Sequence, residues 1–306
     1  MLGDVPPGAP DLELRGAALR GGVVMAIVNR TTDSFYAPAR FPDDAAALDA
    51  VARAADDGAQ IVDVGGVRAG VGPEISVAEE IDRVVPFVAQ VRAQVPDILV
   101  SVDTWRSEVA AAAVSAGADL LNDTWAGHDP ALVEVAGRHG VGVVCSHTGG
   151  LPPRTDPHHV SFPLPADAPA GTDPQDGVVL DVLQTLRRAA ERAVACGVPS
   201  ASVLVDPTHD FGKTTANSLR LVRRADALVA LGYPVLMALS RKDFVGETLD
   251  LPADLRLEGT LAATAVAAWL GVRVFRTHDV LATRRTLDLV AAVRGELAPR
   301  APRRGL

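Results

Sequence analysis

Cysteine is nearly missing from this chain of 306 residues: it has two, Cys145 and Cys196, without the CxxC spacing of a redox or zinc site. No disulfide framework is expected. With no apolar N-terminal run to mark a secretory signal, the two point to a reducing, cytoplasmic setting and read as small buried side chains. Positive charge is also short, since 29 Lys and Arg against 38 Asp and Glu leave a net charge of −9. That balance disfavours nucleic acid or an anionic membrane as the main partner, and any basic site must be local. No stretch approaches the ~18 apolar residues of a spanning helix, while 48% hydrophobic residues exclude a disordered chain. Common catalytic signatures are missing too. There is no G-x-S-x-G elbow. His147, His158, His159 and His209 lack the spacing of zinc proteases or fingers. Gly212-Lys213-Thr214 copies the end of a phosphate-binding loop, but Pro207 stands where its first glycine belongs.

What is present is a rhythm. Eight short apolar, β-branched runs of strand length recur, at 23–29, 60–66, 98–104, 119–125, 142–148, 202–208, 234–240 and 273–279. Their apolar character is continuous, which predicts strands buried on both faces and hence a parallel sheet covered by helices. The segments between them carry helix signals: in 43–59 acidic residues open the segment, Leu48, Val51 and Ala55 share a face, and Gly58 closes it. Gly58, Gly117, Gly140, Gly197, Gly232 and Gly271 each stand shortly before a strand, where glycine ends a helix in the left-handed conformation; Pro96 serves the remaining junction. One (β/α)8 barrel over residues 23–299 fits this count, with an open parallel sheet as the alternative. Residues 1–22 form a Pro/Gly-rich lead-in, with a short hairpin expected to cap the barrel's bottom, and 300–306 a basic tail. Segment 149–176, with seven prolines, is too long for an ordinary loop and is expected to be a mobile lid or a disordered insertion.

Barrel active sites lie at the C-terminal strand ends, and here nearly every strand ends in a polar residue. In order these are Asn29, Asp63 with Gly65, Asp103, Asn122 with Asp123, His147, Asp206, Ser240 with Arg241 and Lys242, and Arg276 with His278 and Asp279. Any one of these can be a group satisfying a local turn, but convergence of most of them on one rim is hard to reach by chance. Asp103, Asn122 and Asp206 are suited to hydrogen-bond a flat, nitrogen-rich ring, and Lys242, Arg276 and His278 to hold a phosphorylated group. Asn29 offers a neutral oxygen to a magnesium ion bridging phosphate oxygens, which needs few protein ligands.

These strand ends resemble the dihydropteroate synthase family. The matching stretches are IVNRTTDSF (27–35), IVDVGG (61–66), SVDT (101–104) followed by LLNDTWAG, DPTHDFGKT (206–214), MALSRKDFVGET (237–248) and FRTHDV (275–280). The resemblance implies a barrel that binds 6-hydroxymethyl-7,8-dihydropterin diphosphate and joins it to p-aminobenzoate in folate synthesis, releasing diphosphate. It assigns Asp103, Asn122, Asp206 and Lys242 to the pterin, with Phe211 and Met237 near its ring, and Asn29, Arg276 and His278 to the diphosphate, Asn29 also to Mg2+. Lys242, Arg276 and His278 would carry the chemistry by stabilising charge on the leaving diphosphate. A homodimer built through helices is implied as well, with residues 261–270 and Trp269 the candidate face, although such a stripe is more often simply a core face.

The chain departs from the family in its loops. The second loop normally reads GG-E-S-T-R-P-G; here Val67, Arg68, Ala69, Gly70 and Val71 replace Glu, Ser, Thr, Arg and Pro. The first loop loses its proline and second acid within Arg30 to Pro38. After Asp206-Pro207 the usual G-I-G is Thr208-His209-Asp210. A hydrogen bond to a charged group is worth roughly 1.5–3 kcal/mol, so losing the loop's Thr and Arg costs on the order of 10²–10⁴-fold. Arg68 stands two positions before the family's arginine, within ~7 Å along the chain. The pattern resembles divergent second copies in this family, for which a catalytically inactive or repurposed pterin-binding barrel is the alternative to a working synthase. A barrel acting on another phosphorylated small molecule is a third reading.

Overall fold

The computed structural model describes residues 6–30, 43–155 and 160–304. Two short strands, β1 (Leu12–Leu14) and β2 (Ala17–Leu19), precede β3 (Val23–Asn29), β4 (Ile61–Gly65), β5 (Leu99–Asp103), β6 (Leu120–Asp123), β7 (Gly142–Ser146), β8 (Val203–Asp206), β9 (Leu236–Met237) and β10 (Val274–Thr277). β3 to β10 are the eight runs of the sequence, and they form one parallel sheet in the order β8-β7-β6-β5-β4-β3-β10-β9. A parallel bridge between Val205 and Val235 brings its two edges together, which makes it a barrel and not an open sheet. Around it run α1 (Asp44–Asp56), α2 (Val77–Gln94), α3 (Ser107–Ser115), α4 (Ala131–His139), α5 (Gly177–Ala195), α6 (Thr215–Arg223), α7 (Ala225–Val229), α8 (Asp243–Leu249), α9 (Leu257–Trp269) and α10 (Val280–Val293). None of the described helices is long and apolar enough to cross a membrane.

The punctuation acts as its chemistry dictates. Asp43, Ser76 and Thr214 accept backbone N–H bonds at the starts of α1, α2 and α6. Gly58, Gly117, Gly140, Gly197, Gly232 and Gly271 all have positive φ, between 66° and 112°, the region a side chain would strain. On α1 the fully buried face is Ala47, Val51 and Ala54, with Leu48 and Ala55 flanking it.

Alternation along the strands creates two cores. Val62 and Val64, Val100 and Val102, and Val203 and Val205 face the helices. Val23, Met25, Ile61, Leu99, Leu120, Val144, Leu204, Leu236 and Val274 point inward and fill the lower barrel. Leu12 and Leu14 of the β1–β2 hairpin complete that inner cluster from below. The hairpin turns on Arg15 and Gly16, both at positive φ, a type I′ geometry that matches the twist of its strands. The lead-in therefore plugs the barrel. Further up, the same inward positions carry polar residues, and this change from apolar to polar along the bore places the site.

The described residues of segment 149–176 are docked, neither a free lid nor disordered. Val160 N–H donates to the Gly212 carbonyl (2.9 Å), and Phe162 packs on the outer core. Asp173 and Asp176 pair with Arg220 at 2.8 and 2.7 Å, and Asp176 also with Arg224. The segment's length had suggested a lid or an insertion; acidic residues facing two arginines of the α6 region hold it down. His158 and His159 lie outside the described residues.

The plug makes a stability prediction. Leu12 is fully buried, so Leu12→Ala should cost about 2–5 kcal/mol in urea unfolding. A cost below ~1 kcal/mol would mean that the hairpin does not belong to the core.

Candidate active site

The inward polar positions of the upper barrel meet at Asp63, whose side chain is fully buried. It accepts from Ser101 Oγ (2.5 Å), Asn122 Nδ2 (3.1 Å) and Arg276 Nε (2.6 Å). Arg276 reaches on to Asp103 through an Nη at 3.1 Å, and Thr124 Oγ1 bonds the other oxygen of Asp103. One guanidinium thus sits between two carboxylates, an arrangement in which each buried charge has a partner. Burial, together with Asp63, pushes the Asp103 carboxyl up to about 7, against the pull of Arg276. Burial also raises Asp206, while its bond from Thr208 N–H (2.7 Å) and the charge of Lys242 act the other way.

Above this cluster opens a cavity of about 390 Å³, lined by Asn29, Asp103, Asn122, Asp206, Phe211, Lys242, Arg276 and His278. Seven residues expected from strand-end position therefore share one cavity, together with Phe211 from the resemblance. Lys242 Nζ donates to the His209 carbonyl and stands 4.7 Å over the Phe211 ring. Phe211 in turn meets Trp125 edge-on, with centroids 5.3 Å apart, so a flat ring entering here finds aromatic edges beside hydrogen-bonding groups. His278 shares its Nδ1 with Ser240 Oγ at 2.9 Å. Burial and the neighbouring Arg276 draw its imidazole down to about 3, which favours the neutral ring as a hydrogen-bonding group.

Met237 requires a correction. It is fully buried among the helix-facing core residues, whereas Leu236 and Ala238 point into the barrel and Ala238 lines the cavity. Strand alternation turns Met237 away from any bound ring. Other strand-end residues also have work elsewhere. Asp123 accepts from the N–H groups of Trp125 and Gly127. Arg241 pairs bidentately with Asp279, both contacts 2.9 Å. His147 Nε2 meets Asp181 at 2.7 Å. Asp210, the new acid of the β8 loop, lines the cavity but accepts from Asp243 N–H (2.8 Å) at the start of α8 and from Ser218 Oγ. Asp63 and Trp125 had no assigned role in the sequence; the signal for Asp63 was an acid at an inward position of IVDVGG.

The second loop forms the opposite wall with Val67, Arg68, Ala69, Gly70 and Val71. Arginines from three directions grip its backbone: Arg83 on the Gly66 carbonyl (3.0 Å), Arg154 on those of Gly70 (3.3 Å) and Pro73 (2.7 Å), and Arg106 on that of Ile75 (2.8 Å). Gly66 is required here, because a Cβ would lie 2.6 Å from Val84 Cγ2. The wall so fixed carries one polar side chain, Arg68. First-loop residues 31–38 lie outside the described residues.

The family model described as pterin binding enzyme matches residues 25–278. The chain is 56% identical over 284 residues to inactive dihydropteroate synthase 2 of Mycobacterium leprae, covering 93% of this chain and 94% of that protein. It is 34% identical over 273 residues to dihydropteroate synthase of Bacillus subtilis, covering 89% and 88%. Among solved structures, dihydropteroate synthase of Xanthomonas albilineans with 4-aminobenzoic acid superposes with a TM-score of 0.78 at 34% identity, over 95% of this chain and all of that one.

The elevated Asp103 sets a pH test. A carboxyl with a raised folded-state pKa contributes stability at acid pH that is lost as pH rises through that value, here about 7. The melting temperature of the wild type relative to Asp103→Asn should therefore fall between pH 4 and 8. A constant or rising difference would contradict the burial argument.

Proposed function

The chain belongs to the pterin-binding enzyme family, and we propose that it is a dihydropteroate synthase-like barrel which binds a dihydropterin diphosphate but has lost recognition of p-aminobenzoate. The observation that carries this is the contrast between the two walls of one cavity. On the barrel side Asp103, Asn122, Asp206 and Lys242 are all present and face inward beside Phe211. On the second-loop side Val67, Ala69, Gly70 and Val71 offer no side-chain hydrogen bond, where the family places Glu, Thr, Arg and Pro. The high identity to a relative whose name says inactive supports the same reading.

In this reading Asp103, Asn122 and Asp206 hydrogen-bond the pterin edge, Lys242 its polar rim, and Phe211 one side of its ring. Arg276 and His278 hold the diphosphate. Cleavage of the C–O bond in an active relative would leave negative charge on that group; fixed positive charge from Arg276 and Lys242, with a hydrogen bond from His278, suits that task. Asn29 would offer magnesium a single neutral oxygen: Gly65, opposite it, is so close that a Cβ would lie 3.2 Å from Asn29 Oδ1. The described residues contain no cluster of three His, Cys, Asp or Glu able to hold a metal by itself, so the ion fits only when substrate phosphates and water complete its shell. When bound it would shield diphosphate charge.

We also assign a homodimer, through the apolar groove of about 900 Å³ between α6, α8, α9 and α10. Val266, Trp269, Leu289 and Val293 are exposed there, Leu289 by 67%, and the Trp269 face foreseen from the sequence belongs to it. We also propose a cytoplasmic location, which two free cysteines support.

Calorimetric titration with the dihydropterin diphosphate should give a saturable isotherm, weakened at least about tenfold by Lys242→Ala, while the variant's melting stays near that of the wild type. No saturable binding to the wild type would discard the pterin reading. Sedimentation should show a dimer that Val266→Glu combined with Leu289→Glu converts to monomer; a wild-type monomer would contradict the dimer.

A further inference from the structure

Lys213 belongs to the fragment that imitates a phosphate-binding loop, yet its side chain is turned inward. It is 5% exposed, and its Nζ donates to the carbonyls of His147 (2.8 Å), Thr208 (3.0 Å) and Phe211 (2.9 Å). Three carbonyl acceptors call for three N–H donors, so the charged ammonium is the form that fits, although burial draws it down to about 7. The segment it grips is under backbone constraint. Thr208 and Asp210 have φ of 52° and 69°, which side-chain-bearing residues adopt only where surrounding contacts impose it. Thr208 answers partly for itself: its Oγ1 accepts from His147 N–H and donates to the Asp206 carbonyl. These same residues end in the cavity, where Asp206, Thr208 and Phe211 form one wall.

We propose that Lys213 is a positioning residue for ligand binding: as an internal cation it ties the ends of β7 and β8 together and thereby aims Asp206 and Phe211 at the bound ring. It touches no ligand and acts through the loop it holds. Its binding arm rests on the pterin reading above, whereas its geometric arm does not.

The test uses the full chain labelled with 5-fluorotryptophan, at pH 6.5. The sequence has three tryptophans, and Trp125→Phe identifies the resonance of Trp125, which lies against Phe211. Lys213→Met should keep far-UV dichroism and cooperative melting, shift the Trp125 resonance, and raise the dissociation constant for the dihydropterin diphosphate by roughly tenfold or more. Lys213→Arg, with its several donors, should restore both in part. A Lys213→Met protein whose Trp125 resonance and affinity match the wild type within about twofold overturns the proposal. So does an arginine variant no better than methionine. Should Lys213→Met fail to fold, Lys213→Gln, which keeps two N–H donors but no charge, is compared with Lys213→Arg by the same criteria. If the wild type itself binds no pterin diphosphate, the pterin reading fails while the fluorine shift still decides the role of Lys213.

Discussion

The upper barrel depends on one guanidinium, largely shielded from solvent and paired with a fully buried acid. Arg276 enters the bore from β10 and is held by Asp63 on β4 and Asp103 on β5. Removing such a charge from water is expensive unless partners meet it at short range, and breaking a buried pair typically costs 3–5 kcal/mol. The acids satisfy that demand and are in turn fixed, Asp63 by Ser101 and Asn122, Asp103 by Thr124. Strands β4, β5, β6 and β10 are therefore locked in mutual orientation by polar contacts, just where hydrophobic packing gives out. Burial first, and then the second acid Asp63, hold Asp103 up its range against the pull of Arg276.

Below that level the bore is an apolar core closed by a hairpin; above it the bore is a polar pocket. Both come from the same two-residue period, so the site is the upper continuation of the core. Its rim is then shaped by loops with different means of support. The β8 loop holds left-handed backbone at Thr208 and Asp210 where the family has glycine, with side-chain bonds and the Lys213 ammonium as compensation. Arginines carry the second loop entirely through its carbonyls, which leaves its side chains free to diverge without loss of its path. A loop gripped by its backbone can exchange Thr and Arg for Ala and Gly and keep its shape while its chemistry goes.

Strand number, helix ends and the rim residues were legible because they rest on local rules: apolar run length, glycine before a strand, a polar residue at a strand's end. Met237 was misread because β9 is two residues long, too short for a resemblance to reveal which parity faces inward. Asp63 went unassigned because its partners come from β5, β6 and β10, which sequence separates by as much as 213 positions. Segment 149–176 was read as a lid or insertion because its length says nothing about the arginines that its acidic residues meet.

The account separates a retained pterin end from an emptied acceptor end, and p-aminobenzoate added to protein already saturated with the dihydropterin diphosphate tests that separation directly. Heat and diphosphate release are followed in the same preparation. The prediction is no saturable heat at millimolar p-aminobenzoate and no diphosphate release above the uncatalysed rate. Saturable heat with p-aminobenzoate-dependent release would contradict it, and would place acceptor recognition on Arg68 or on residues beyond the second loop.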